Sequence, residues 1–289
     1  MNVKKFLQVY FVSTFVLMCI MLFVGYHWIS GMNIGSGGEI AELTQEIKKN
    51  ERKNVLLVGT DKSGVLADVI MVFSFSAEGN PVNVMSIQRD TEVYVGNRVW
   101  KINSVLQKGK EELVQTVKNI TKIPIHDYAV VNFKAVEDVV NLLGGVDFYV
   151  PQDMDYEDPE QDLYIHLKKG QQWLNGANAL KLLRFRGYGM ADIERTKVQR
   201  DFIQAAFKQK MKVEYIPKVE GIFNAVKKNI SSSITLSDVL SYVNMMKDAE
   251  MQTFEMPLVL TGNGTVVVDN AKMYTLTRQH FTLDEKQED

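Results

Sequence analysis

The sequence predicts an α/β domain, a mixed central β-sheet flanked by helices on both faces, preceded by one N-terminal transmembrane helix. Short apolar runs of strand length alternate along the chain with amphipathic segments of about 10 to 15 residues, the order that builds a sheet with helices packed on both sides. Ahead of them stands an uncharged apolar stretch long enough to cross a bilayer. The chain has 289 residues, 46% hydrophobic and 24% charged, enough to bury a sizeable core.

Taken in order, "MNVKK" (1–5) is followed by "FLQVYFVSTFVLMCIMLFVGYHWI" (6–29), and no Asp, Glu, Lys or Arg occurs from Phe6 through Gly38. As a helix this span reaches roughly 36 Å, against roughly 30 Å of hydrocarbon. Lys4 and Lys5 precede it and Glu39 is the first charge after it, which places residues 1–5 in the cytoplasm and the rest outside the cell membrane as a single-pass protein. A cleaved signal peptide is the competing reading, but its apolar region is shorter and "GYHWISGM" is a poor cleavage site. Residues 30–53 read as a juxtamembrane linker, a Gly/Ser tether followed by a helical spacer. Cys19, the sole cysteine, lies within the span.

The exported domain runs over 54–280. "NVLLVGTD" (54–61), "DVIMVFSFS" (68–76) and the apolar half of "NPVNVMSIQRD" (80–90) are strands, and "EVYV" alternates as another. Apolar residues at 113, 114, 117 and 120 make 110–122 an amphipathic helix. A strand at 127–133, a helix at 134–145 closed by glycine and a strand at 146–151 follow. Helices are expected at 175–186, 193–212 and 235–247, with late strands in "AEMQTFEMPL" and "GTVVVDN". The acidic tail 281–289 is expected to be disordered.

A formal net charge of −2 argues against a nucleic-acid binder, so any anion site has to be a local cluster of cations. Four scattered histidines and one cysteine leave no zinc-type spacing. Asp61 ends one strand and Asp68 opens the next; two such carboxylates can converge on a hard cation such as Mg²⁺ or Mn²⁺, or Asp61 caps a turn and Asp68 is a solvated loop residue. Arg184 and Arg186, followed by Arg195 and Arg200, offer planar forks for phosphate oxygens if "RFR" leaves its helix extended; otherwise they are cations at a solvated helix end. Arg89 and Asp90 close an apolar strand, either as a surface ion pair or with separate partners on opposite faces.

The run "NVLLVGTD", "ADVIMVFSF", "VNVMSIQRDTEVYV", "KINSV", "IPIHDYAVVNFKAVEDVVNLLGGVDFYVP", "YIHLKKGQQWLNGANALKLLRFR" and "ADIERTKVQRDFIQA" resembles the LytR-CpsA-Psr family of bacterial cell-envelope phosphotransferases over about residues 54–207. The resemblance implies a domain that holds a polyprenyl (pyro)phosphate lipid in an apolar tunnel, its head group gripped by arginines and Mg²⁺ (or Mn²⁺). Such an enzyme moves a glycopolymer, a teichoic acid or capsule chain, from the lipid carrier to a peptidoglycan hydroxyl. By position, Asp61 and Asp68 match the metal-binding aspartates, Arg89 the strand-end arginine beside the scissile phosphate, Arg184 and Arg186 the paired head-group arginines, and Arg195 and Gln199 the later phosphate contacts. Asp61, Asp68 and Asp90 are the candidates for the base. The apolar runs "VIMVFSF" and "YAVVNF" and the helix at 135–143 would wall the tunnel, or are plain core. The chain departs from the family pattern at Leu66-Ala67, where Arg-Ser is usual, at Gln88, where proline is usual, and at Val198-Gln199-Arg200, where the run is Arg-Gln-Gln; Arg200 is a candidate to compensate for the arginine lost there. The alternative function is a degenerate, non-catalytic lipid-phosphate or wall-polymer binding protein; a hydrolase of the same lipid differs only in using water as acceptor.

Overall fold

The structure, a computed structural model, describes residues 52–282 apart from 62, 77–79, 189–190, 212–217, 247–248 and 263–264. The expected membrane span at 6–29 and most of the linker lie outside the described residues, and no described helix is long and apolar enough to cross a membrane. β1 (Lys53–Thr60) is central in a six-stranded sheet. It pairs antiparallel with β2 (Ala67–Phe75), which pairs antiparallel with β3 (Val82–Ser86). After the hairpin β4 (Glu92–Val95) and β5 (Arg98–Lys101) comes a 3₁₀ segment, Ile102–Lys108, then α1 (Lys110–Thr121). β6 (Asp127–Val131) lies parallel to β1 on its other side, so the sheet is mixed, as read from the sequence.

Leu56 and Val58 of β1 face one core and Val55 the other. A strand covered on both faces has no polar alternation to show, which is why β1 and β2 appear in the sequence as continuous apolar runs. On the first face Leu113 and Val117 of α1 pack with Ile102, Val105, Met273 and Phe281. On the second, Met71, Phe75, Val84 and Met251 pack with Ile203 and Phe207 and with Tyr242, Met245 and Met246.

α2 (Phe133–Leu142) begins at Asn132, whose side chain accepts from Ala135 N, and ends at Gly144 and Gly145, both left-handed at φ 79° and 82°. β7 (Val146–Val150) pairs with β10 (Gly170–Leu174), and β8 (Met154–Asp158) with β9 (Leu163–Leu167). α3 (Gly176–Arg184) crosses α2 so closely that a Cβ on Gly176 would stand 2.2 Å from the Glu137 carbonyl oxygen. These hairpins, α3 and α4 (Ala191–Lys210) enclose a third apolar cluster, with Phe148 edge-on to Phe202 at 5.5 Å. α4 is therefore wedged between sheet and hairpins: Phe202 serves the third cluster, and Ile203 and Phe207 the sheet.

α5 (Val219–Val226), β11 (Ile230–Ser232), α6 (Leu236–Met246), β12 (Met251–Glu255), β13 (Leu258–Leu260), β14 (Val266–Val268) and α7 (Asn270–His280) complete the domain. β11 and β12 form the two edges of the sheet, in the order β11-β6-β1-β2-β3-β12, with β12 parallel to β3. One boundary needs correcting. Phe281, expected in a disordered tail, is fully buried among the first-face residues, because Phe281 N continues the α7 hydrogen bonding to Thr277 O. Residues 283–289 of that tail lie outside the described residues.

Candidate functional site

The end of β1 sets the site. Its register with β2 slips between Gly59 and Thr60, a bulge of the kind that redirects the chain beside a functional site. A Cβ on Gly59 would stand 3.1 Å from the Cβ of Val69, so the small residue lets the strands close there. Asp61 follows. Its Oδ1 accepts from Val65 N (2.9 Å) and Leu66 N (3.1 Å), and its Oδ2 from the Ser63 hydroxyl (2.5 Å). Partial burial alone would raise the Asp61 carboxyl, but the Ser63 hydroxyl and the backbone donors of the loop outweigh it and hold the group below the usual carboxylate range. The turn-capping reading of Asp61 is thus realised at a residue that also faces the cavity described below.

Asp68, the second residue of β2, is bracketed by arginines: Oδ1 lies 2.6 Å from Arg89 Nη1 and Oδ2 3.6 Å from Arg186 Nη2. Arg89 and Asp90 have separate main partners, but not because they alternate along a strand. β3 stops at Ser86, and Gln88–Thr91 is a turn closed by Thr91 N and Thr91 Oγ1 on the Gln88 carbonyl (3.1 and 2.7 Å). Arg89 reaches Asp68, Asp90 reaches Lys101 Nζ at 2.9 Å, and only a 3.8 Å contact joins the neighbours.

At the end of α3 the chain turns extended at Phe185 (φ −62°, ψ 133°), the condition under which Arg184 and Arg186 can serve one pocket. Phe185 is buried edge-on to Tyr188 at 4.9 Å. Arg184 lies over the Phe133 ring, 4.5 Å from its centroid. Burial first, and then the charge of Arg186, lower Arg184 from the ordinary arginine range against the opposing pull of Asp68, Asp158 and Asp162. Arg195 and Gln199 stand one turn apart on α4 and are only 4% and 5% exposed. The Gln199 amide donates to Leu183 O at 3.1 Å, tying α4 to the last turn of α3.

Asp61, Asp68, Arg89, Arg184, Arg186, Arg195 and Gln199 all line one cavity of about 530 Å³. Four guanidinium groups face two carboxylates, so this spot is cationic in a chain whose net charge is −2. The remaining wall is largely apolar: Leu66, Val69, Val131, Phe133, Val136, Leu163, Leu180 and Leu183. Of the runs read as tunnel walls, "YAVVNF" contributes Val131, Asn132 and Phe133, whereas "VIMVFSF" contributes Val69 alone. Ile70, Met71, Val72 and Phe75 of that run are core. Ser63, Tyr156 and Leu163 also line the cavity and were not anticipated; a hydroxyl two residues after Asp61 was the one available signal.

Two further positions bear on the cationic lining of this cavity. Val198, the position at which the sequence departs from the expected Arg-Gln-Gln run, is buried in the third apolar cluster. Arg200 does not compensate, since its guanidinium binds Ser86 Oγ (2.6 Å) and the Glu255 carboxylate (2.5 Å), away from the cavity. Among the described residues no group of three or more His, Cys, Asp or Glu side chains is arranged to hold a metal ion. Mg²⁺ asks for less, because it commonly takes one or two carboxylates and completes its octahedron with water and substrate phosphate oxygens. Asp61 and Asp68, oxygen donors at one cavity, fit that requirement.

The sequence profile of the LytR_cpsA_psr family matches residues 32–288. The chain is 29% identical over 220 residues to the polyisoprenyl-teichoic acid–peptidoglycan teichoic acid transferase TagV of Bacillus subtilis (strain 168), covering 71% of this chain and 56% of that protein. It is 27% identical over 237 residues to the TagU transferase of the same description from Bacillus anthracis, covering 80% of this chain and 76% of TagU. The crystal structure of B. subtilis TagV superposes with a TM-score of 0.68 at 26% identity, over 82% of this chain and 100% of that one. A structure described as TagT bound to LI-WTA shares the fold, with a TM-score of 0.65 at 23% identity over 80% of this chain and 89% of that one. The chain spans a little over half the length of the curated TagV sequence. A profile match over most of its length, with the same α/β architecture, makes this chain a member of the LytR-CpsA-Psr family.

Proposed function

We propose that this protein is a membrane-anchored, extracellular, Mg²⁺-assisted phosphotransferase that moves a glycopolymer from a polyprenyl-pyrophosphate carrier to a peptidoglycan hydroxyl. The observation that carries this reading is a single cavity with two chemistries. Its lining combines four arginines, Arg89, Arg184, Arg186 and Arg195, with leucine, valine and phenylalanine side chains. A prenyl diphosphate has that polarity, whereas inorganic phosphate alone would leave the apolar wall unused.

In the reaction the acceptor hydroxyl oxygen forms a bond to the phosphorus that carries the glycopolymer. The bond from that phosphorus to the bridging oxygen breaks, and polyprenyl phosphate leaves with the electron pair. Such transfers pass through a loose transition state, so positioning and charge neutralisation supply most of the acceleration. Arg89 and Arg186, both against Asp68, are placed to exchange that carboxylate for phosphate oxygens. Arg184, braced on Phe133, and the buried Arg195 fix the head group from the opposite elements. Of the three carboxylates offered as base, Asp90 is committed to Lys101 and does not line the cavity, so the acceptor proton falls to a carboxylate of the cavity, Asp61 or Asp68. Asp61 and Asp68 would hold Mg²⁺, which when bound supplies neutralisation of the diphosphate charge.

A second reading, binding without turnover, draws support from Val198 and from the diversion of Arg200 to Glu255. The test is to purify the full chain in detergent, identify co-purified polyprenyl phosphates by mass spectrometry, and supply lipid-linked glycan and peptidoglycan with and without Mg²⁺. Metal-dependent release of polyprenyl phosphate with glycan on peptidoglycan is expected. Lipid bound without release leaves the binding role, and neither lipid nor release overturns both.

A further inference from the structure

A second cavity, of about 500 Å³, is lined at two places by immediate chain neighbours of residues that line the first. The two share no lining residue, yet consecutive residues of the chain divide between them at two places. Arg89 lines the first and Gln88 the second; Arg195 lines the first and Thr196 the second. The turn at the end of β3 and the first half of α4 are therefore the partition between them. Apart from that partition, the second cavity is built by β12, β13, β14 and α7, elements that supply nothing to the first.

The chemistry of the second cavity is different. Its apolar lining comes from Met256, Pro257, Leu258, Leu260 and Val266. Its polar groups include one carboxylate, Glu255, and one ammonium, Lys272, with no arginine, so it offers a diphosphate no net attraction. Glu255 is tethered through one oxygen, its side chain about half exposed. Arg200, whose side chain is 9% exposed, holds Glu255 at 2.5 Å with one nitrogen and Ser86, another lining residue, at 2.6 Å with the other. The arginine that does not reach the phosphate cavity thus organises this one.

We infer that the second cavity is the subsite for the acceptor glycan, an uncharged or zwitterionic stretch of amino-sugar polymer whose hydroxyl crosses the Gln88–Arg89 partition to the phosphorus. This rests on the reading of the first cavity as the diphosphate site. A pyranose presents apolar C–H faces and a rim of hydroxyl and amide groups, which matches an apolar floor bordered by Ser86, Gln88, Thr196 and Glu255. Separate cavities suit separate molecules. The donor's own glycan is covalently continuous with the diphosphate, whereas the acceptor arrives independently and has to approach from across the phosphorus.

The test uses the full chain in detergent with two probes, geranyl diphosphate and an uncross-linked peptidoglycan tetrasaccharide, titrated by calorimetry singly and together. Both are expected to bind at once. Leu260→Arg, at a 71% exposed position where folding is not at stake, should weaken the tetrasaccharide by about tenfold or more and leave geranyl diphosphate within about twofold. Lys272→Ala should act in the same direction. In the transfer assay Leu260→Arg should raise KM for the acceptor and not for the lipid donor. Displacement of the tetrasaccharide by geranyl diphosphate, or tetrasaccharide affinity unchanged in both variants, would overturn the assignment. Failure of geranyl diphosphate to bind the unaltered chain would instead overturn the reading of the first cavity.

Discussion

Asp68 and Arg89 hold each other at 2.6 Å with side chains about one-fifth exposed, a partly screened pair worth on the order of 1 kcal/mol. Arg89→Ala should therefore leave the melting transition within a few degrees while lowering glycan transfer about 100-fold or more, the usual cost of removing one charge-stabilising donor. Full transfer by this variant would remove Arg89 from the site. Asp61 separates two roles that one carboxylate fills. Asp61→Ala should cost about 1 kcal/mol, because the Val65 and Leu66 amides lose their acceptor. Asp61→Asn should keep most of that stability yet lose the response to Mg²⁺, measured as a metal-induced shift in thermal unfolding. The sign of its pH dependence follows from the lowered pKa. The carboxylate's contribution is complete above the unfolded value, near pH 4, and disappears as pH falls through the folded value, so Asp61→Asn should flatten the acid side of the stability curve.

The crossing of α2 and α3 carries two walls of the arginine-lined cavity, Phe133 and Val136 from one helix and Leu180, Leu183 and Arg184 from the other. Gly176 permits that crossing, and the atom a larger residue would strike is a backbone carbonyl that cannot swing aside. Gly176→Ala should cost about 1–3 kcal/mol in urea unfolding and weaken geranyl diphosphate together with it. Most of these elements could be read from the sequence, since β1, β2, α1 and α2 expose their period or their apolar run. The β8–β9 hairpin was only half legible: β9 alternates, with Leu163, Ile165 and Leu167 buried, whereas "MDYED" carries three acidic residues in five and buries only Met154 fully. α7 was hidden, because it is anchored by polar contacts such as Thr277 Oγ1 to Thr121 O and buries few side chains of its own. Residue type exposed the site's aspartates and arginines. Their partners were not readable, since Arg89 meets Asp68 21 residues away and Arg186 meets it through a helix end whose extended exit no local rule dictates. The second cavity left no motif at all, being assembled from strand ends with ordinary apolar residues.

The domain is closed by its last described residues. Asn83 Nδ2 donates to the His280 carbonyl at 2.6 Å, Asn54 Nδ2 reaches the Phe281 carbonyl across 227 residues, and the Phe281 ring is wholly buried. Phe281→Ala should cost about 3–5 kcal/mol, and a chain stopped after His280 at least as much, both checked by denaturant titration. β12 adds the same lesson from the sheet, for it pairs parallel with β3 and so joins the first third of the chain to the last fifth. Any process that delivers this polypeptide starting from its first residue, whether ribosome or export channel, holds an unfinished sheet with β3 as an open edge until residue 255 has emerged. The arginines and aspartates of the cavity are all present well before that moment, but the floor beneath α4 is not. Folding is thereby postponed to the close of delivery, and the charged cavity first exists as a site only after the whole domain has arrived.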